Sequence, residues 1–158
     1  MYRSNIARMF GLTVATVLML MGTAASQAQQ KSAKELIAGN WTLMIADNVR
    51  GDGNKVPGFG PLPKGTATFG PDGRYSFEVA PNTSNQPIVK SSGTYTLDEA
   101  GKKLTLKVEE SSTPNWRGTT QAATVKFVSS DHLGWTNPVP LVASEDFTGT
   151  ELIWARAK

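Results

Sequence analysis

From residue 39 onward, apolar and polar residues alternate in short runs bounded by turn-forming residues. Trp41, Leu43 and Ile45 alternate with Thr42, Met44 and Ala46, the period of two that sends successive side chains to opposite faces of a strand. Runs 66–69 and 74–79 flank Gly70-Pro71-Asp72-Gly73, residues that preset or tolerate tight-turn dihedrals. In the second of these runs Tyr75, Phe77 and Val79 share a face. Runs 93–97 and 103–109 flank Asp98–Lys102, and Leu104, Leu106 and Val108 again fall on one side. A further pair, 119–128 and 132–136, surrounds Ser129-Ser130-Asp131, and 151–157 is the last run. The pattern therefore predicts eight strands. One short helix, 32–38, precedes them: Ser32-Ala33-Lys34-Glu35 fits a capping box, and Gly39 stands where the helix ends, because glycine adopts the left-handed conformation cheaply.

Three longer segments, 48–64, 80–92 and 137–149, contain two or three prolines each. Proline has no N–H to give a ladder, so these segments are connections rather than central strands. The first is read as a lid over one end of the fold or as a plain surface linker. Eight sequential strands joined mostly by hairpins fit an all-β, up-and-down antiparallel barrel, which removes exposed sheet edges by closure. A sandwich with crossing connections is the competing architecture. An eight-stranded barrel is either filled by its own side chains or holds one small ligand.

Gly39-x-Trp41 at the opening of strand one, after a short helix, resembles the signature of the lipocalins and related barrels. In that family the Trp plugs the closed end and a basic residue from the last strand packs over its ring. The resemblance gives this role to Gly39, Trp41 and Arg156, with guanidinium over indole as a cation–π contact. Longer stretches are similar to bacterial lipocalin-like domain proteins: "ELIAGNWTLM", "FGPDGRYS", "SGTYTLDEAGKKLTLKVEESSTPNWRGTTQ" and "ELIWAR". The resemblance spans nearly all of 35–157 and implies a lipocalin-like barrel. Many members carry His in the strand corresponding to 103–109 and Arg in that corresponding to 120–128. Here Leu106, Lys107, Ala123 and Thr124 occupy those places, so a polar binding role resting on them has no counterpart in this chain.

The first 28 residues read as an export signal: Arg3 and Arg8, an apolar run from Phe10 to Met21, then small residues at Ser26 and Ala28. The run is shorter than the roughly 20 apolar residues a spanning helix needs. Removal of 1–28 would leave a single 29–158 domain, periplasmic or secreted, with no stable membrane insertion. Without Arg3 and Arg8 the 16 basic residues become 14 against 13 acidic, about +1. That balance gives no basic patch for nucleic acid. There is no Cys, so the core must hold without disulfides.

Catalysis needs a nucleophile with a base, paired carboxylates or a metal cluster. The one His, His132, stands beside Asp131 at a turn without a third group to orient it. One His and no Cys cannot build a tetrahedral nitrogen–sulfur metal site. Glu109 and Glu110 are adjacent in a strand and are expected on opposite faces. Glu145 and Asp146 form a solvated loop pair, and no cofactor is implied. Asn40-Trp41-Thr42 and Asn82-Thr83-Ser84 match the glycan acceptor pattern, relevant only in a glycosylating host.

What remains is the aromatic set. Tyr75, Phe77, Tyr95, Leu106, Phe127 and Trp135 are the expected lining of a cavity for a small, largely apolar molecule. Trp116, in a Pro-Asn-Trp-Arg-Gly turn, would cap the barrel or stack on a ligand at its mouth. The alternative is a filled core in a protein acting through its surface, as an envelope interaction or stress protein. An enzyme on the same scaffold is the weakest reading. Ligand identity and oligomeric state do not follow from the sequence.

Overall fold

The computed structural model describes residues 31–82, 88–98, 100, 102–138, 140–141 and 146–158. The expected signal at 1–28 lies outside them, as do Thr83 and Ser84 of one glycan pattern and Glu145. Along the described chain run α1 (Ala33–Ile37), β1 (Gly39–Arg50), β2 (Lys55–Pro57), β3 (Lys64–Phe69), β4 (Arg74–Ala80), β5 (Val89–Leu97), β6 (Lys103–Ser111), β7 (Thr120–Ser129), β8 (His132–Asn137) and β9 (Phe147–Arg156).

The helix forms where its cap predicts it. Ser32 Oγ accepts from the Glu35 N–H at 3.3 Å, and Glu35 Oε2 accepts from the Ser32 N–H at 2.8 Å. That bond holds the Glu35 carboxyl below its usual range. Beyond the helix, each strand from β3 to β9 pairs antiparallel with the next in sequence. β1 pairs with β3 through Gly39–Thr42 and with β9 through Trp41–Arg50, so the sheet closes on itself. The sandwich is excluded by this closure: from β3 to β9 consecutive strands are neighbours in one sheet.

Eight strands make the barrel, and β2 is an added ninth. It pairs only with the far half of β1, Asp47↔Pro57 to Val49↔Lys55, where β3 no longer reaches. Its Pro57 is tolerated because this is an edge strand. β1 also runs past Ala46, the end its alternation predicts, to Arg50.

The connections sort by length. β3, β5 and β7 end, and β4, β6 and β8 start, at the end where β1 begins, with a tight turn at 70–73. β4, β6 and β8 end at the other, which is the mouth, where the 51–63 and 112–119 segments also lie. Inward positions follow the period of two: Leu104, Leu106 and Val108 in β6 are buried while Lys103, Lys107 and Glu109 are exposed. Glu109 and Glu110 are both exposed, contrary to strict alternation. The β5–β6 register slips between Ser92 and Gly93, and the bulge turns both carboxylates outward to meet Arg74 at 2.8 Å and Arg117 at 2.7 Å. Gly93 is required there, because a Cβ would run into the Lys107 carbonyl oxygen.

Candidate binding site: barrel interior and mouth

The closed end is built on Arg156. Its guanidinium carbon lies 4.3 Å from the centroid of the Trp41 ring. Nη1 donates to the Ala38 carbonyl at 2.9 Å and Nη2 to that of Leu36 at 2.7 Å. Nε and Nη2 donate to the Ser130 carbonyl at 3.1 and 3.0 Å. One side chain thus satisfies the Leu36 and Ala38 carbonyls at the end of α1, where carbonyls have no partners within the helix, and ties them to the β7–β8 turn. Gly39, at φ 128°, is pressed against it: a Cβ there would sit 2.7 Å from Nη1. Close approach of Arg156, more than helix termination, is what the glycine serves. The Trp41 ring is buried, and its indole N–H donates to the Ile37 carbonyl at 2.8 Å.

Tyr75, Phe77, Tyr95, Leu106 and Trp135 are all buried and share the interior. Phe127, near the closed end of β7, is half-buried against the same cluster. Two interior aromatics complete the set, Phe69 and Trp154. Phe69 meets Tyr95 edge-on at 5.1 Å and Trp135 at 6.1 Å. Phe77 meets Trp135 edge-on at 5.2 Å, and Trp135 stacks with Trp154 at 6.3 Å. The alternation of Leu152 and Trp154 within the last predicted strand was the signal that would have placed Trp154 on the wall. Tyr75 and Ser91 hydroxyls share a hydrogen bond at 2.9 Å, and Tyr95 donates to the Gly70 carbonyl at 2.8 Å. Burial pushes both tyrosine hydroxyls above their ordinary pKa, so both remain neutral phenols. Among the described residues, the buried side-chain N or O atoms without a partner are Nε1 of Trp135 and of Trp154.

Three loop side chains close the mouth: Phe59, Trp116 and Leu141 are buried. Each is fixed by backbone bonds. Gly58 N–H donates to Ala46 O and Asn82 N–H to Phe59 O, both at 2.9 Å. Thr119 Oγ1 donates to Trp116 O at 2.6 Å, and Leu141 N–H to Thr150 Oγ1 at 2.9 Å. Thr150 and Asn48 are themselves buried, and Gly58 lies so close to the Asn48 amide that a Cβ would be 2.8 Å from it. The 48–64 segment is therefore partly strand and partly a buried plug, neither a plain linker nor an open flap. Beside Trp116 a cleft of about 450 Å³ runs between the 112–119 loop and Pro140–Leu141, with Asn115, Thr120 and Gln121 on its walls. A second, of about 420 Å³, lies at Thr66, Ser76, Ser92 and the Glu78–Lys90 ion pair.

His132 is exposed, with Nδ1 3.2 Å from Ser129 Oγ, and Asp131 faces Arg156 Nε at 3.5 Å. Among the described residues no three His, Cys, Asp or Glu side chains gather as a metal site, and no helix is long and apolar enough to cross a membrane.

Residues 80–157 match the family model of the lipocalin-like domain. Over that span the sequence resembles a lipocalin-like domain. The match takes in β5 to β9, and the sheet joins β1 to β4 to them in the same barrel. Two solved structures similar to this chain are designed barrels. A redesigned β-barrel is 11% identical, covering 82% of this chain and 98% of its own, at a TM-score of 0.47. A de novo designed fluorescence-activating β-barrel is 15% identical, covering 80% and 99%, at 0.45. No curated protein matches the sequence.

Proposed function

We propose that this lipocalin-like barrel binds one small, largely apolar molecule and performs no chemistry on it. The observation that carries the reading is a closed barrel whose inner wall is aromatic and whose loop-bearing end carries a cleft of about 450 Å³ beside Trp116. Ligand pockets run from roughly 300 to 1,000 Å³ and are lined mainly by apolar and aromatic groups. Trp116 and Leu141 line the cleft and are themselves buried in the core cluster, so entry requires them to shift. Tyr75, Phe77, Tyr95, Leu106, Phe127 and Trp135 form the proposed wall, and Trp116 the proposed contact at the mouth.

Titration with the neutral probe N-phenylnaphthylamine should quench Trp emission saturably, near one equivalent per chain. A negative heat-capacity change should accompany it, the marker of apolar burial. Trp116→Ala, Phe127→Ala and Trp135→Ala should weaken binding by more than they lower stability. The second reading, a filled core acting through the surface, is favoured by the interior rings lying against one another at 5.1–6.5 Å. If no apolar probe saturates and the variants only lose stability, that reading replaces the first.

Export completes the proposal. The Arg3/Arg8 start, the apolar run and the Ser26-Gln27-Ala28 site support removal of the first 28 residues and a periplasmic or secreted location. Intact mass from the envelope fraction should begin at Gln29, and full-length chain in the membrane would be the opposing result.

A further inference from the structure

Among the described residues two buried side-chain donors are unmatched, and we infer from them that the ligand is an uncharged molecule with an apolar body and a carbonyl-type oxygen, received by the indole N–H groups of Trp135 and Trp154. The inference rests on the small-molecule reading above. Indole N–H donates only and cannot be matched by turning the ring into another role. The fold does supply an acceptor to one buried indole, since Trp41 donates to the Ile37 carbonyl. The hydroxyls of Tyr75 and Tyr95 are likewise engaged, with Ser91 and Gly70. Trp135 and Trp154 are as buried as Trp41, yet their N–H groups have no partner. Buried donors in native structures are nearly always satisfied, and an exception calls for an explanation; two of them on adjacent interior rings point to an acceptor from outside the chain.

The two rings that carry these donors are neighbours. Trp135 pairs with Leu152 and Leu133 with Trp154 across β8 and β9, so the indoles are diagonal neighbours on one wall and stack at 6.3 Å. A carbonyl oxygen has two lone pairs and can accept from one or both. The unmatched groups are donors alone, which selects a ligand that accepts. Charge selects further: among the described residues the buried polar ones are Asn48, Ser91, Asn137 and Thr150, with no cation among them. A carboxylate would be buried without a counter-charge, a costly state, so a ketone, ester or amide fits and a fatty acid anion does not.

The test uses three compounds of nearly one shape: ethylnaphthalene, acetylnaphthalene and the naphthoate anion. The ketone is the better hydrated of the two neutral probes, so a site with no donor would favour the hydrocarbon. Acetylnaphthalene should instead bind about tenfold tighter than ethylnaphthalene, the effect of one or two net hydrogen bonds, and naphthoate should bind most weakly at neutral pH. In proton–nitrogen spectra of the whole protein, two of the four indole N–H signals, those of Trp135 and Trp154, should move downfield with the ketone and not with the hydrocarbon. Trp135→Phe and Trp154→Phe should each reduce the preference for the ketone while ethylnaphthalene still binds. If either variant fails to fold, the shifts in the unaltered protein decide. Saturable binding with ethylnaphthalene or naphthoate preferred, or with both indole signals unmoved by the ketone, overturns the inference and leaves the small-molecule reading standing. Absence of saturable binding by all three overturns both.

Discussion

Trp41→Ala should lower the free energy of unfolding by about 3–5 kcal/mol, the range for truncating a buried Trp. Typical domains have about 5–15 kcal/mol in all, so the variant should unfold at far lower urea. The loss has named parts: the ring fills the floor, its N–H closes onto Ile37, and the Arg156 guanidinium lies on its face. Arg156→Ala should cost less, since cation–π contacts contribute about 0.5–2 kcal/mol, although the Leu36, Ala38 and Ser130 carbonyls would lose their donor. The double variant should fall short of the sum by at least about 0.5 kcal/mol, because residues in contact couple. Strict additivity in urea unfolding followed by circular dichroism would show that the two act independently. Arg156→Lys should rescue little, since an ammonium lacks the planar fork that reaches three carbonyls.

Gly93→Ala should be nearly as damaging. The new methyl would meet backbone on two sides, the Lys107 carbonyl oxygen and the Glu109 nitrogen, and backbone cannot swing aside as a side-chain end can. Overpacking costs about 1–3 kcal/mol and sometimes more, and here it falls on the bulge that sets the β5–β6 register. Gly134→Ala is the control: its Cβ would find the nearest atom, Ile153 Cδ1, at an ordinary 3.5 Å, and the change should stay within about 0.5 kcal/mol. Equal stability of the Gly93 and Gly134 variants by urea unfolding would refute the steric account.

Both positions bear on what the chain discloses unaided. The barrel was legible because its hairpins combine period-two alternation with turns of strong chemistry, Gly70-Pro71-Asp72-Gly73 above all. The interior set followed from the same period, and Trp154 lay in plain view beside Leu152. The mouth was not legible. β2 is three residues long and contains Pro57, inside a stretch whose Gly and Pro content argues for a loop. The extension of β1 to Arg50 depends on Asn48, a poor strand former, finding a buried partner in Thr150 about a hundred residues later. Phe59 and Leu141 carry no periodic signal, because a plug is positioned by single hydrogen bonds rather than by a repeat. The two outward glutamates failed for a related reason: a bulge inserts one residue and breaks the parity on which the expectation rests. Strand content is a local property, whereas closure of the mouth depends on contacts between distant segments.

The seam between β1 and β9 has a kinetic consequence. Trp41 is paired with Arg156 and Arg50 with Phe147, so the first barrel strand completes its ladder only with the last. Contacts this remote in sequence slow folding, since the ends must meet before the pairing rewards them. In a chain delivered N-terminus first, β1 would wait with one edge bare through the passage of every other strand, and a bare edge is a template for foreign strands. β2 shields only the opposite edge. The ten residues of β9 therefore act as a completion checkpoint: a nick that removes them would yield two adhesive edges and an unsealed floor, not a slightly smaller barrel.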